Sequence, residues 1–247
     1  MSKELKLPYF QTESFGAVDG PGIRFVVFCQ GCLYRCLYCH NPESWDLHKK
    51  VKEFTVDEII DRFNRNKTFY ASGGITISGG DPVIYIDFLI ALAKRCKQEK
   101  IHLAVDTSGV SFSKENEKKF KELCAYKPLW IVDVKHINPN KHQKLVGVAE
   151  QREIKLLKFL DENNQELWVR QVLVPGYTDD LNDLKNLGKF LATLKGLKSF
   201  QLLPYHKMAE VKYQNLGWRY PLKDVAEPSN ELIQKATEAI QEGFNIE

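Results

Sequence analysis

Six short runs of β-branched and aromatic residues limit the folds open to this chain more than any other feature. Each stops at glycine, proline or polar residues, and each is separated from the next by a stretch with helical spacing. The runs are residues 23–28 (Ile-Arg-Phe-Val-Val-Phe), 74–78, 102–105, 129–134, 167–174 and 200–203. Between them, residues 54–63, 86–97, 114–123, 152–160 and 181–194 read as helices. Thr55, with Glu58 three residues on, has the form of a capping box at the first of these. Strands that alternate with helices pair in parallel, because a parallel return needs a long crossover. The expected fold is α/β, either open and doubly wound or curled toward a barrel, and periodicity does not separate the two. In both cases the ligand site falls at the C-terminal ends of the strands.

The 247 residues, 43% apolar and 27% charged, suffice for one packed core, so a single domain over 1–247 is expected. Residues after about 208, with Trp218, Tyr220 and a helical segment near 230–241, form a covering extension. The 35 basic and 32 acidic residues are spread along the chain, with no block like a nucleic-acid-binding tail. Residues 1–10 lack a signal-like apolar run, and no stretch approaches membrane-spanning length. A cytoplasmic protein with neither nucleic-acid nor membrane partners is expected. Six cysteines in a reducing compartment argue against a disulfide framework.

Three of those cysteines, Cys32, Cys36 and Cys39, fall within eight residues directly after the first strand. Three thiolates on one loop can hold an iron-sulfur cluster and leave one iron without a protein ligand. The other strand ends carry polar residues that the topology sends to the same mouth. They are Gly79-Gly80-Asp81, Asp106 and Thr107, Asp133 and Lys135 on one face of a strand, and His206. Arg170 lies within an apolar strand, so it should meet an anion, either a cofactor carboxylate or a nearby Asp. Cys29 forms a second Cys-x-x-Cys pair with Cys32, which keeps a four-cysteine zinc or electron-transfer site open. Its place at the end of an apolar strand argues instead for a buried structural role, like that of Cys96 and Cys124.

The spacing Cys32-x-x-x-Cys36-x-x-Cys39, with Tyr38 before the last cysteine, resembles the cluster motif of radical S-adenosylmethionine enzymes. The flanks, Asp19-Gly20-Pro21-Gly22-Ile23-Arg24 and His40-Asn41-Pro42-Glu43-Ser44-Trp45, are similar to those of glycyl-radical-enzyme activating enzymes. The match covers about residues 13–210. No ferredoxin-like cysteines are inserted after Trp45, as in the branch that acts on pyruvate formate-lyase.

The resemblance implies an open partial (β/α)6 barrel and a [4Fe-4S] cluster on Cys32, Cys36 and Cys39. It also implies reductive cleavage of S-adenosylmethionine to a 5′-deoxyadenosyl radical, which takes a hydrogen from a glycine α-carbon of the partner protein. Tyr38, His40, Asn41, Gly79, Gly80, Asp81, Asp133, Val134, Lys135, Arg170 and His206 are the implied cofactor contacts. Asp81 departs from the family's usual Gly-Gly-Glu by one methylene. Asp106, Thr107 and Asp133 match positions that bind a monovalent cation, Na+ or K+, and Asp19 and Arg24 lie where the substrate's glycine loop is received. The implied partners are pyruvate formate-lyase as substrate and a reduced flavodoxin or ferredoxin as electron donor, with the activase itself a monomer. A small-molecule substrate is the alternative within the same chemistry.

Overall fold

The computed structural model describes residues 4–245, so the first three residues of the 1–10 segment and the last two of the expected 1–247 domain lie outside the described residues. The strands are β1 Leu7–Gly16, β2 Arg24–Cys29, β3 Lys52–Phe54, β4 Gly74–Gly79, β5 Leu103–Thr107, β6 Leu129–Asp133, β7 Leu167–Leu173 and β8 Leu197–Pro204. The helices are α1 Val56–Arg65, α2 Ile86–Glu99, α3 Glu117–Cys124, α4 Pro139–Val146, α5 Arg152–Glu162, α6 Leu181–Ala192, α7 Glu210–Asn215 and α8 Asn230–Phe244. The strands are hydrogen-bonded in the order β3-β1-β2-β4-β5-β6-β7-β8, which leaves β3 and β8 as edges and the sheet open.

All six expected strands are present, as β2 and β4 to β8. The pairs β2–β4, β4–β5, β5–β6 and β7–β8 are parallel, as the alternation requires. Two strands escaped the sequence reading, and both are antiparallel. β1 carries a polar run, Gln11 to Ser14, through its middle, and its pairing is broken by two register shifts. β3 is three residues long. Together they cover what would otherwise be the free edge of β2. The reading also missed α4, although its signals are present. Asn138 caps it by accepting from the amides of Asn140 and Lys141, Pro139 opens it, and Gly147 closes it in the left-handed region. The capping box at α1 has both arms, Thr55 Oγ1 accepting from Glu58 N at 3.2 Å and Glu58 Oε2 from Thr55 N at 2.8 Å.

The described residues divide into two compact units. The first, residues 4–33 and 44–132, contains β1 to β5, α1 to α3 and β6 up to Val132. Val27, Ile75, Ile77, Leu89, Val105 and Trp130 are fully buried in it. The second, residues 34–43 and 133–245, contains β7, β8 and α4 to α8. Leu156, Leu157 and Leu160 of α5, Leu187 of α6 and Ala236 of α8 are fully buried there. The last helix of the tail, α8, packs on α6, helix against helix.

Candidate active site

In the first unit the cysteine loop begins where β2 stops, and its root is held by the backbone. Gln30 N donates to Pro8 O at 2.8 Å, Gly31 N to Ser44 O at 2.6 Å and Cys32 N to Trp45 O at 3.4 Å. The end of β4 lies directly against this root. Gly80 N donates to Cys29 O and Asp81 N to Gly31 O, each at 2.8 Å. A Cβ on Gly79, whose φ is +108°, would stand 2.4 Å from Cys29 N, and one on Gly80 would stand 2.2 Å from Gly31 O. Both glycines are therefore required by a backbone-to-backbone approach as well as by any ligand.

Asp81 is fully buried. Its Oδ1 accepts from Thr107 Oγ1 and, at 3.3 Å, from Val83 N, and so caps a short 3-10 turn at Pro82–Tyr85. Its Oδ2 accepts from Ser108 Oγ at 2.6 Å, Ser108 N at 3.0 Å and Val110 N at 3.4 Å. The carboxylate ties the loop after β4 to the loop after β5. Burial pushes its pKa up, and the Ser108 and Thr107 donors oppose that shift. Both of its oxygens are thus engaged within the protein.

Arg24, which the resemblance puts in the region that receives the substrate's glycine loop, has a fully buried side chain. It donates to Thr76 Oγ1, Ile75 O and Pro21 O and lies 3.1 Å from His102 Nδ1. Burial lowers its pKa to about 10, opposed by Asp19. Asp19 itself is half-buried, and its carbonyl accepts from Thr76 Oγ1 at 2.7 Å. Asp106 accepts from Ser78 Oγ at 2.8 Å. Cys29 is fully buried at the end of β2, and Cys96 and Cys124 are buried as well.

In the second unit the loop continues through Tyr34. Arg35 N donates to Val146 O at 2.9 Å and Leu37 N to Leu145 O at 3.0 Å, so the end of α4 holds this stretch like a short paired strand. Cys39 N donates to Cys36 O at 3.0 Å, which makes a turn between the two thiols. Burial pushes the Cys36 thiol up to about 12, with the nearby Lys135 ammonium pulling the other way. Lys135 is buried, its Nζ 2.9 Å from Asp133 Oδ2 and 5.7 Å from the centre of the Tyr38 ring. Burial alone would lower its pKa, but Asp133, Tyr38 and Cys36 together outweigh this and hold the ammonium well above its ordinary value. Val134 N donates to Arg170 O at 2.8 Å. Arg170 Nε donates to Gln201 Oε1 at 3.2 Å.

His40 and His206 meet edge to face, with ring centres 4.2 Å apart. Burial, then the neighbouring His206, lowers His40 to about 4, so it is neutral near pH 7. Nδ1 of His206 is buried and has no hydrogen-bond partner among the described residues. Lys212 of α7 reaches Asn41 Oδ1 and Glu43 Oε1, both at 2.8 Å, and holds the segment after the last cysteine. Among the described residues no group of three or more His, Cys, Asp or Glu is gathered as for a single metal ion.

The second unit thus brings together Tyr38, Asp133 and Lys135, and separately His40 and His206. The first joins Thr107 to Asp81. Sequence reasoning missed Lys212, Gln201, Ser108 and a buried carboxylate, Glu153, on α5. Only Glu153 left a signal. It opens the series 153, 156, 157, 160 that otherwise reads Leu, Leu, Leu, a charge on an apolar helical face.

Residues 26–188 match the model of the radical SAM superfamily. The chain is 40% identical over 236 residues to a pyruvate formate-lyase-activating enzyme of Staphylococcus epidermidis, covering 94% of both chains, and 39% identical over the same length to that of Staphylococcus aureus. Among solved structures, a domain of a pyruvate-formate lyase-activating enzyme from Bacteroides vulgatus superposes with a TM-score of 0.54 at 28% identity, covering 70% of this chain and 95% of that one. SuiB of Streptococcus suis, bound to its precursor peptide SuiA, superposes with a TM-score of 0.67 at 19% identity over 93% of this chain and 47% of that one, a likeness of fold alone. The chain belongs to the radical SAM superfamily and, within it, to the family of the pyruvate formate-lyase-activating enzymes.

Proposed function

We propose that this protein activates pyruvate formate-lyase by forming a radical on a glycine α-carbon of that partner. The observation that carries the reading is the 39–40% identity, over 94% of the chain, to curated proteins of that activity's name. Family membership implies a [4Fe-4S] cluster and S-adenosylmethionine. When bound, they supply one electron and the 5′-deoxyadenosyl group that takes up the glycine hydrogen.

Two features of the chain support a fit to these groups. Cys36 is a thiol that burial keeps protonated, and a cluster's positive iron would provide the charge that favours its thiolate. His206 presents a buried, unpartnered nitrogen, the state expected of a group kept for a polar ligand. In this reading Cys32, Cys36 and Cys39 hold the cluster. The backbone at Gly79-Gly80 receives the methionine amino group, Lys135 faces the methionine carboxylate, and His40 and His206 border the adenosine, with Tyr38, Asn41, Val134 and Arg170 around them. Asp81 acts through the loops it ties.

We assign Asp106, Asp133 and the Thr107 hydroxyl to a monovalent cation, Na+ or K+. Asp19 lies in the loop that receives the substrate, with Arg24 shaping that loop from beneath. A reduced flavodoxin or ferredoxin serves as electron donor to a monomeric, cytoplasmic activase. Among the described residues no helix is long and apolar enough to cross a membrane.

Anaerobic reconstitution with iron, sulfide, reductant and S-adenosylmethionine tests this reading. The expected products are 5′-deoxyadenosine and a glycyl radical signal from added pyruvate formate-lyase, both lost in Cys36→Ala. Cleavage without a protein radical would move the substrate to a small molecule, and no cleavage would overturn the mechanism.

A further inference from the structure

Glu153 has no place in the roles assigned so far, yet it is fully buried, and its carboxylate gathers groups from three separate segments of the second unit. Tyr34, which sits between Cys32 and Cys36, donates its hydroxyl to Oε2 at 3.1 Å. The backbone N–H of Lys135 donates to Oε1 at 3.3 Å. His142 of α4, also fully buried, brings Nε2 to 2.9 Å from the same Oε1. His142 Nδ1 lies 2.9 Å from Val148 O, and a carbonyl only accepts, so Nδ1 carries a proton and donates.

We propose that Glu153 is a positioning residue, whose buried carboxylate locks the cysteine loop to the strand end that carries Lys135. It acts by two routes. The direct route is the Tyr34 hydroxyl. The second runs through His142 and α4, whose last carbonyls, Leu145 O and Val146 O, accept from Leu37 N and Arg35 N between the cysteines. Loop and Lys135 amide are thus referred to one carboxylate, and neither can shift without breaking a buried hydrogen bond to a charge. A carboxylate that merely stabilised α5 would draw its donors from its own helix or from neighbouring helices, whereas both hydrogen bonds that Glu153 accepts come from elsewhere, one from Tyr34 of the loop and one from residue 135. The role for catalysis rests on the function proposed above, but the locking of the loop does not.

The test therefore begins with the metal-free protein. Iodoacetamide labelling of Cys36, followed by peptide mass spectrometry, is compared in the parent, Glu153→Gln, Tyr34→Phe and the double variant. Leu160→Ala, a cavity on the same helix, is the control for general loosening. Glu153→Gln and Tyr34→Phe should each raise the labelling rate roughly tenfold, the effect of losing one hydrogen bond to a charged group. The double variant should be no faster than either single one, and Leu160→Ala should match the parent at a temperature equally far below its Tm. After reconstitution, the same two variants should keep their iron, bind S-adenosylmethionine several-fold more weakly and show an altered electron paramagnetic resonance spectrum on adding it. Should Glu153→Gln fail to fold, Tyr34→Phe alone carries the test, since it deletes only the hydroxyl. Labelling and affinity equal to the parent, or labelling equal to Leu160→Ala, would overturn the proposal. Loss of 5′-deoxyadenosine formation in the parent itself would count against the function and leave the labelling result standing.

Discussion

At Asp81 a one-methylene difference from the family's usual Glu has a structural cause. The side chain is fully buried and accepts from Thr107, Ser108, Val83 and Val110, so its length is matched to two loops of the protein. Glu at this position would push an extra methylene into filled space. Asp81→Glu should therefore destabilise the protein by about 1–3 kcal/mol, as overpacking does elsewhere. Urea unfolding measures this, and a midpoint equal to or above the parent's would contradict the account. Arg24 makes the same point. The guanidinium of this motif residue is occupied by Thr76, Ile75 O and Pro21 O. Burying a charge is tolerable only when its donors are satisfied, and here they are.

At the scale of elements, the end of β4 and the end of β2 are built against each other. The two hydrogen bonds from Gly80 N and Asp81 N leave no room for a side chain at 80, since a Cβ there would meet the fixed carbonyl of Gly31 at 2.2 Å. Gly80→Ala should cost about 1–3 kcal/mol of stability, and more where the loop cannot yield. The displaced backbone is the root of the cysteine loop, so iron uptake on reconstitution should fall as well. Unchanged iron content would show that the loop tolerates the shift. The elements that carry strong periodicity or complete caps were legible in the sequence, among them the six strands of the alternation and α1 with its Thr55–Glu58 box. β1 and β3 were not, because one has a polar run, Gln11 to Ser14, and a shifted register and the other is three residues long. α4 carried its signals in Asn138, Pro139 and Gly147, but eight residues are too few for a periodic pattern to stand out.

For the whole molecule, His136 gives folding a pH dependence. It is buried, its Nδ1 accepts from Asn138 N at 3.0 Å and its Nε2 lies 3.2 Å from Tyr177 O, the pattern of a neutral ring with one proton on Nε2. Burial holds its pKa below the ordinary value, against the pull of Asp183 at 4.0 Å and helped by Lys141 and His142. Charging the ring would also abolish the bond from Asn138. Above the unfolded histidine pKa, about 6.5, the residue is neutral in both states and costs nothing. As pH falls below that value the unfolded chain takes up the proton first, so stability is lost. Urea unfolding between pH 7.5 and 5.5 should show this decline, and His136→Gln should make it shallower, the remainder belonging to His40, whose pKa is lowered as well. An identical slope in the variant would assign the decline to other groups.

The sequence by itself determined the parallel alternation and the spacing of the thiols. Both are local patterns, set by the repeat of a strand or helix and by how few residues separate one ligand from the next. Tertiary structure decided which polar side chains remain for a ligand and which are consumed inside the protein. Their partners are remote in the chain: Asp81 meets Thr107 across 26 residues, Arg24 meets His102 across 78, and Tyr34 meets Glu153 across 119. A carboxylate or guanidinium in a motif looks the same whether it faces solvent, a cofactor or a buried hydroxyl, and only packing distinguishes them.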